Sequence, residues 1–164
     1  MFSATTHKTP IGNLFLIADE QVLLGAGFKS FKSLIDRFDP SDAKIEIKQI
    51  KSIPIISDLI TDYFDGDLLA LNGISVRQPG GKFSQNAWKA MRKIPAGKTW
   101  SYAELAKRAG SADAVRAAGT ACGNNLIAPI IPCHRIVKSG GALGNYGYGV
   151  EIKEWLLNHE GALQ

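Results

Sequence analysis

Cysteine and histidine are scarce in this chain, which contains two cysteines and three histidines among its 164 residues. The two cysteines, Cys122 and Cys133, are too few for a disulfide scaffold. No Cys-x-x-Cys or His-x-x-x-His pattern occurs in the sequence, so the ligand spacings typical of zinc sites are missing. We therefore expect neither a bound metal nor any other cofactor.

Long apolar segments are missing as well. The longest apolar runs are far too short to cross a bilayer, and the opening stretch MFSATTHKTPIG lacks the basic flank and apolar core of a signal peptide. The hydrophobic content of 45% and the charged content of 21% are ordinary for a globular protein. These features predict a reduced, cytoplasmic protein that makes no contact with a membrane.

The charges are distributed unequally between the two halves of the chain. Residues 1–79 carry 8 Lys+Arg against 10 Asp+Glu, a net charge of −2, whereas residues 80–164 carry 11 Lys+Arg against 5 Asp+Glu, a net charge of +6. A basic second half favours contact with a polyanion such as nucleic acid. A mildly basic solvated surface would have the same charge, so both interpretations stay open at this point.

The first half has the pattern of a small α/β module with an antiparallel sheet. Apolar runs or alternation typical of strands cover residues 13–18, 21–28 and 44–50, and the first two of these predict a hairpin. Helical spacing covers residues 30–38 and 57–64. No cluster of reactive side chains is visible, and His7 stands alone near an N-terminus that we expect to be mobile. This half therefore has the character of a scaffold.

A domain boundary is expected at RQPGGK, residues 77–82, because proline and paired glycines interrupt regular structure. It separates a scaffold domain, residues 1–79, from a second domain, residues 80–164. The second domain is predicted to be mainly helical and to begin with a helix over residues 83–94. The whole chain is thus expected to be an α+β protein.

The clearest local signal is a pair of short helices. Ser101 and Glu104 have the spacing of a capping box, which predicts a helix that closes at Gly110. Ser111 is then expected to cap a second helix over residues 112–122. Two short helices joined by a tight turn form a helix-turn-helix.

The second of these helices is rich in alanine, including Ala117 and Ala121, and small side chains allow another surface to approach closely. That surface could be protein core or a DNA groove. Arg116 is the one charged residue between Asp113 and Arg135. It could be an ordinary solvated residue, or it could read a base edge or fill the space left by an extruded base.

Cys133 and His134 stand side by side after a long apolar approach, residues 126–132. A cysteine is reactive as its thiolate, which requires a neighbour that favours the charged form. On an extended segment successive side chains point to opposite faces, so His134 could reach the thiol only across a turn or through a water. Glu160, near the end of a last helix predicted over residues 151–161, could orient the imidazole. The alternative is a buried structural cysteine beside a surface histidine.

Several motifs together resemble the 6-O-alkylguanine-DNA alkyltransferase family. They are IPCHR at residues 131–135, GTACGNN at 119–125, GNYGYG at 144–149, KEWLLNHEG at 153–161, AWKAM at 87–91 and SYAELA at 101–106. The match is dense over residues 80–161, whereas residues 1–79 fit only the less distinctive N-terminal domain of the family. The resemblance implies DNA repair by direct reversal, in which an alkyl group moves irreversibly from the 6-oxygen of guanine to a cysteine of the protein. The 4-oxygen of thymine is a second candidate donor.

The resemblance also implies catalytic roles. Cys133 would be the acceptor, and His134 would act as its base through a bridging water. Glu160 would orient His134, Asn125 would brace the turn before the active-site segment, and Tyr102 would donate a hydrogen bond to the departing guanine. Each protein molecule would react once.

On DNA, the resemblance implies that Arg116 enters the duplex as the damaged nucleotide flips out, with its helix in the minor groove. Further DNA contacts are assigned to Tyr102, Ala117, Ala121 and Arg135. The base pocket is assigned to Pro132, Ile136, Tyr146 and Gly147. The implied partner is double-stranded DNA carrying alkylated guanine, bound by a monomer.

Two features of some relatives are missing from this sequence. One is an N-terminal zinc-binding set of cysteines and histidines, and the other is a cysteine-rich sensor domain, so we expect repair alone and no metal. Two other functions stay open. The chain could be a lesion-sensing DNA-binding module in which Cys133 is incidental, or a thiol hydrolase that uses Cys133, His134 and Glu160 with turnover.

Overall fold

The computed structural model describes residues 1–163 and shows a mixed α/β protein whose chain forms two compact units. The first unit contains Met1–Pro79 together with a short later segment, Leu126–Ile130. The second unit contains Gly80–Asn125 and the chain from Ile131 onward. Over the described residues, no helix combines the length and the apolar character that crossing a bilayer requires.

The first unit is built on a five-stranded sheet. Its strands are β1 (Phe2–Thr9), β2 (Gly12–Asp19), β3 (Val22–Gly27), β4 (Ile47–Gln49) and β5 (Ser75–Val76). The order across the sheet is β4-β1-β2-β3-β5, with antiparallel pairing in the centre and parallel pairing at both edges. The predicted hairpin is confirmed as β2 and β3. The predicted strand at residues 44–50 is shorter than expected, because only β4 pairs with a neighbour.

Three helices accompany this sheet, α1 (Phe31–Ile35), α2 (Pro40–Ala43) and α3 (Ile56–Phe64). The hydroxyl of Ser30 accepts a hydrogen bond from the backbone N–H of Ser33, at 3.0 Å, which satisfies one of the free donors at the start of α1. The helical predictions are confirmed in position, but α1 stops three residues earlier than the pattern indicated. Buried aliphatic side chains from β2, β3 and α3 form the core of this unit.

The N-terminus differs from its expected mobility. Residues 2–9 form β1, which pairs with β2 from Ser3 opposite Ala18 to Thr9 opposite Gly12. His7 is half-buried in this strand, and its Nε2 lies 3.4 Å from Oγ1 of Thr61. The expectation of a mobile terminus is wrong because β2 supplies hydrogen-bond partners to this segment. Its small and polar residues give no strand pattern that would have predicted the pairing.

The apolar approach to Cys133 packs in the first unit. The N–H of Ala26 donates to the carbonyl of Leu126 at 2.9 Å, and the N–H of Ala128 donates to the carbonyl of Ala26 at 3.0 Å. The N–H of Leu126 also donates to the buried side-chain oxygen of Gln78 at 2.8 Å. Residues 126–130 lie beside β3 and are buried in the first unit, which explains their apolar character.

The second unit is mainly helical. Its helices are α4 (Lys82–Met91), α5 (Tyr102–Arg108), α6 (Val115–Gly123) and α7 (Val150–His159). Two short strands, β6 (Trp100–Ser101) and β7 (Ile136–Val137), pair in parallel. Nε1 of the buried Trp88 donates to the carbonyl of Ala121 at 2.9 Å, which joins α4 to α6. A β-carbon at Gly80 would lie 2.6 Å from the Trp88 ring, so this turn requires glycine.

The start of α5 agrees with the sequence, whereas the start of α6 does not. The hydroxyl of Ser101 accepts from the N–H of Glu104 at 3.1 Å, as a helix N-cap does, although the Glu104 carboxylate pairs with Arg108 instead of completing the capping box. Ser111 caps no helix. Its carbonyl closes a turn with the N–H of Ala114, and α6 begins one residue later.

The last helix buries a different face from the one suggested by its largest apolar side chains. The buried residues are Lys153, Leu156, Leu157 and the C-cap Glu160, whereas Trp155 is half-buried. Residues at intervals of three and four share a helical face, so a lysine and a glutamate lie in line with two core leucines. This arrangement brings two charged groups into the interior of the second unit.

Candidate functional site

A single 3-10 turn, Cys133–Arg135, carries the reactive pair. It is closed by hydrogen bonds from the N–H of Cys133 to the carbonyl of Ile131 and from the N–H of Arg135 to the carbonyl of Pro132, both 2.9 Å long. Successive side chains on a 3-10 turn diverge by about 120°, not by the half-turn of a strand. The turn therefore removes the geometric objection to a partnership between Cys133 and His134.

His134 and Glu160 form a buried pair. Nε2 of His134 lies 2.9 Å from Oε2 of Glu160, and both side chains are inaccessible to solvent. Arg135 binds the same carboxylate through two nitrogens, each at 2.9 Å, and donates a third hydrogen bond of 2.7 Å to the carbonyl of Ile94. The carboxylate of Glu160 thus accepts hydrogen bonds from His134 and Arg135, two successive residues of the turn, and holds both side chains in place.

The charge states of this cluster follow from burial and from the arginine. Burial lowers the pKa of His134, and the attraction of Glu160 opposes that shift without reversing it, so the resting imidazole is neutral. Burial would raise the pKa of Glu160, but the interactions of the carboxylate with His134 and with the charged Arg135 outweigh burial and hold that pKa well below its usual range. An ionised Glu160 accepts the Nε2 proton of His134 and leaves Nδ1 as the acceptor nitrogen.

Nδ1 of His134 is buried, and no residue among 1–163 provides it with a hydrogen-bond partner. A buried polar atom without a partner is costly, which is why such atoms concentrate at functional sites. With Nε2 bound to Glu160, Nδ1 is the nitrogen of this ring that is left to accept a proton.

Asn125 connects the end of α6 to the reactive turn. Its side-chain Nδ2 donates to the carbonyl of Ile131 at 2.8 Å and lies 3.3 Å from Sγ of Cys133. The side chain is buried, so both interactions are shielded from water. Asn125 therefore positions the backbone just before Cys133 and offers a donor to its sulfur.

An open cleft of about 560 Å³ reaches Cys133. It is lined by Tyr102, Arg116, Gly119, Thr120, Cys122, Gly123, Cys133, Lys138, Asn145, Tyr146 and Gly147. These residues come from α5, α6, the reactive turn, Lys138 just after β7, and the glycine-rich loop, residues 139–149. The volume is within the range of small-molecule pockets and can hold a purine base.

Tyr102 stands at the start of α5 and is half-buried at the cleft wall. Burial raises the pKa of its hydroxyl, and the neighbouring thiols raise it further, so this group is a protonated donor at neutral pH. A β-carbon at Gly144, whose φ is +77°, would lie 3.3 Å from that hydroxyl. The loop therefore needs glycine here both for its backbone conformation and for its close approach to Tyr102.

The structure brings several predicted residues together and leaves others apart. Among the predicted DNA contacts, Arg116 and Tyr102 line the cleft, whereas Ala117 is exposed on α6 without lining it. Ala121 is fully buried, and its carbonyl accepts a hydrogen bond from Trp88, so the structure contradicts a DNA contact by its side chain. Arg135 is corrected in the same way, because its guanidinium is buried and bound to Glu160 and Ile94.

The residues assigned to the base pocket lie in two places. Tyr146 and Gly147 line the cleft. Pro132 and Ile136 flank the reactive turn in sequence, are buried and do not line the cleft.

Sequence reasoning missed three residues of this region, Cys122, Lys138 and Lys153. Cys122 and Lys138 line the cleft. Burial strongly raises the pKa of Cys122, so this thiol is protonated and is a weaker nucleophile than a thiolate. Lys153 is fully buried, and its spacing of three from Leu156 on α7 was the signal that could have found it.

The described part of the chain contains no group of three or more His, Cys, Asp or Glu side chains arranged to hold a metal ion. The chemistry that the cluster supports by itself is nucleophilic. It has a thiol, a neutral imidazole whose acceptor nitrogen has no hydrogen-bond partner among residues 1–163, and a carboxylate that orients the imidazole.

Comparisons with known proteins show which family this chain resembles. Residues 82–162 match the family model described as 6-O-methylguanine DNA methyltransferase, DNA binding domain. A methylated-DNA–protein-cysteine methyltransferase of Salmonella typhimurium is 35% identical, over 94% of this chain and 93% of its own length. A protein of the same name from Methanosarcina acetivorans is also 35% identical, over 94% of this chain and 96% of its own length.

Two solved structures are similar over nearly the whole chain. A crystal structure of Mycobacterium tuberculosis O6-methylguanine methyltransferase has a TM-score of 0.78 and 33% identity, and the match covers 99% of this chain and 94% of that one. A crystal structure of Mycobacterium tuberculosis OGT in complex with DNA has a TM-score of 0.80 and 31% identity, and the match covers 98% and 93% of the two chains.

Proposed function

Because this chain belongs to the methylated-DNA–protein-cysteine methyltransferase family, we propose that it repairs alkylated guanine in double-stranded DNA by transferring the alkyl group from the 6-oxygen to Sγ of Cys133. The 4-oxygen of thymine is a second candidate donor. The observation that carries the proposal is the position of Cys133, which lines an open cleft while the adjacent His134 is bound to a buried carboxylate.

In the proposed reaction, Sγ of Cys133 attacks the alkyl carbon, and the carbon–oxygen bond breaks with its electron pair left on guanine. The thiol proton passes to Nδ1 of His134 through a water, and Glu160 stabilises the imidazolium that forms. The hydroxyl of Tyr102 donates a hydrogen bond to the departing base. The proton then returns to guanine through solvent, so one thiol and one alkylated base become one thioether and one unmodified base.

The thioether explains why the reaction would stop after one event. A sulfur–carbon bond of this kind is not hydrolysed, so the alkyl group would stay on Cys133. The protein would therefore be consumed in proportion to the lesions repaired. A thiol hydrolase would instead release its product and react many times, so multiple turnover would distinguish the two functions.

Extrusion of the damaged nucleotide is part of the proposal, because a base stacked in a duplex cannot present its 6-oxygen to a thiol at the foot of a cleft. We propose that α5 and α6 form a helix-turn-helix whose second helix enters the minor groove. Exposed Ala117 and the glycines of α6 let DNA approach closely. Arg116, exposed at the cleft rim, would fill the space that the nucleotide leaves.

The charge of the second unit supports DNA as the partner. Its net charge of +6 comes from residues 80–125 and 131–164, since residues 126–130 carry no charge. Phosphate contacts of this kind supply affinity without sequence preference, which suits a protein that must search for rare lesions. We propose that it works as a monomer in the cytoplasm, without a metal.

The test is to react the protein with a duplex that contains one 6-O-methylguanine and to measure intact mass. We expect a gain of one methylene that saturates at one per chain. Trypsin leaves both cysteines in one peptide, residues 117–135, so fragment ions must place the methyl group on Cys133 or on Cys122.

Two variants complete this experiment. Cys133→Ser should abolish transfer, and Cys122→Ser, which changes a second thiol in the same cleft, should retain it. Methyl transfer that persists in Cys133→Ser would refute the proposed acceptor. Duplex binding without any mass gain would favour a lesion-sensing module, and several product equivalents per chain would favour a hydrolase.

A further inference from the structure

Lys153 is a buried charge for which the proposed reaction has no role. Its side chain is fully buried on α7, and Nζ donates to the carbonyl of Ile136 at 2.6 Å and to the carbonyl of Asn145 at 3.3 Å. Among residues 1–163 it forms no ion pair. A buried ammonium without a carboxylate is expensive, so its presence at this place requires an explanation.

The charge count around the reactive turn supplies one. Within the described residues, the buried side chains that carry a formal charge are Arg135, Lys153 and Glu160, and all three belong to the second unit. With His134 neutral, their sum is +1. A thiolate at Cys133 would bring the buried cluster to zero, so the ionised acceptor is the state that balances its surroundings.

The electrostatic interaction between Lys153 and Cys133 also favours the thiolate. Burial lowers the pKa of Lys153, and negative charge on Cys133 and Cys122 raises it. The interaction of two charges is mutual, so the ammonium favours the thiolate as much as the thiolate favours the ammonium. Other titratable or charged groups around the thiol are Tyr102, Arg116, Cys122, His134, Arg135, Lys138 and Glu160. Of the cations in that set, Arg116 and Lys138 are exposed, and Arg135 is already paired with Glu160.

The two hydrogen bonds of Lys153 also join separate parts of the cleft. Ile136 begins β7 directly after the reactive turn, and Asn145 belongs to the glycine-rich loop that lines the cleft through Asn145, Tyr146 and Gly147. An ammonium has three donors and no acceptor, so it can hold two carbonyls at once. Lys153 therefore joins the loop that would contact the base to the strand that follows the acceptor.

We propose that Lys153 is a positioning residue that holds the glycine-rich loop against β7 and places an unpaired buried cation beside Cys133 to stabilise its thiolate. This inference rests on the proposed role of Cys133 as the acceptor. It adds a charge from α7 that acts on the sulfur independently of His134.

The test measures the rate of alkyl transfer against pH, with free 6-O-benzylguanine and, separately, with iodoacetamide, a small uncharged thiol reagent. Fragment ions identify product at Cys133. Lys153→Met keeps the length of the side chain and removes its charge, and we expect the pH midpoint of both reactions to rise by at least about one unit, the lower end of what an opposite charge produces. Lys89→Met, an exposed lysine of α4, should leave the midpoint unchanged.

A purely structural lysine predicts a different result. Lys153→Met would then change stability while the pH midpoint with iodoacetamide stayed at the wild-type value, and that outcome in a folded variant would overturn the electrostatic role. If Lys153→Met does not fold, Lys153→Arg serves instead, because it keeps the charge. A midpoint near that of the wild type is expected, and a rise of about one unit or more would contradict the proposal.

Backbone hydrogen exchange tests the second part. We expect faster exchange over residues 144–149 in Lys153→Met than in Lys89→Met, and equal exchange would show that Lys153 does not hold the loop. Failure of the wild-type protein to accept an alkyl group at Cys133 would refute the proposed function itself. An active Lys153→Met variant with an unchanged profile would refute this inference alone.

Discussion

Nε2 of His134 lies 2.9 Å from Oε2 of Glu160, although 26 residues separate them in the chain and both side chains are fully buried. Arg135 binds the same carboxylate, so one glutamate of α7 orients two successive residues of the reactive turn. A single substitution at Glu160 should therefore affect both chemistry and stability. The two effects can be measured separately.

We expect Glu160→Gln to lower the rate of alkyl transfer to Cys133 at least tenfold, out of the roughly 10²–10⁴-fold that a positioned base contributes. The amide cannot stabilise an imidazolium at His134 as a carboxylate does. Single-turnover rates with free 6-O-benzylguanine measure the effect without DNA binding. Glu154→Gln, exposed on the same helix, is the matched control. Equal rates for the two variants would make Glu160 a structural residue only.

Acid should destabilise the protein in a defined window. The folded pKa of Glu160 is depressed, so its stabilisation is complete above the unfolded value of about 4.3 and is lost as pH falls toward the folded value. The folded pKa of His134 is also lowered, so below about pH 6.5 the unfolded chain binds a proton that the folded chain does not. Both groups make the free energy of unfolding decrease with falling pH.

Urea unfolding between about pH 7 and pH 3 tests this window. The decline should begin near pH 6.5 and steepen below about pH 4.3. Glu160→Gln should be less stable at pH 7 by about 3–5 kcal/mol, the cost of leaving a buried charge unpaired, and should lack the steeper part of the decline. A variant curve parallel to that of the wild type would contradict the assignment.

We expect Arg116→Ala to cripple repair of a lesion in duplex DNA and to spare the reaction with free 6-O-benzylguanine. The arginine would act on the duplex and not on the reacting atoms. The ratio of the two rates is the measurement. Arg108→Ala is the control, because that guanidinium lies outside the cleft, pairs with Glu104 and stacks over Trp100. A loss of the same size on both substrates would exclude a role in extrusion.

Asn125→Ala should destabilise the protein by about 0.5–1.5 kcal/mol, because the carbonyl of Ile131 loses one of its two donors and keeps the N–H of Cys133. It should also slow alkyl transfer, since the side chain contacts Sγ of Cys133. Asn124→Ala provides a close comparison, as Asn124 is the adjacent and exposed amide. Chemical denaturation and single-turnover kinetics on both variants are the measurements. Comparable values for the two would remove Asn125 from the site.

Local structure could be predicted from the sequence where the hydrogen-bond partner is nearby in the chain. The N-cap at Ser101 and the hairpin of β2 and β3 depend on residues a few positions apart, and both are as predicted. The cap expected from Ser111 is absent because another local interaction competes with it. Its backbone closes a turn after α5, and that competing local structure delays the start of α6.

Burial was harder to anticipate than local structure. Ala121 and Arg135 occur in motifs that suggest contact with DNA, yet both are buried in the second unit. The apolar residues 126–130 lead directly to the reactive turn in sequence, yet they form hydrogen bonds beside β3 in the first unit. Which face of a segment is covered depends on partners far away in sequence, and periodicity does not identify those partners.

The sequence by itself determined the motifs and the family, and it predicted which residues react, because these depend on residue type and spacing. The tertiary structure alone decided that His134 and Arg135 both bind the buried carboxylate of Glu160, and that the charged side chain of Lys153 is buried. The physical reason is that a charge can be buried only where partners from distant segments converge. That convergence is a property of the folded chain and not of any stretch of its sequence.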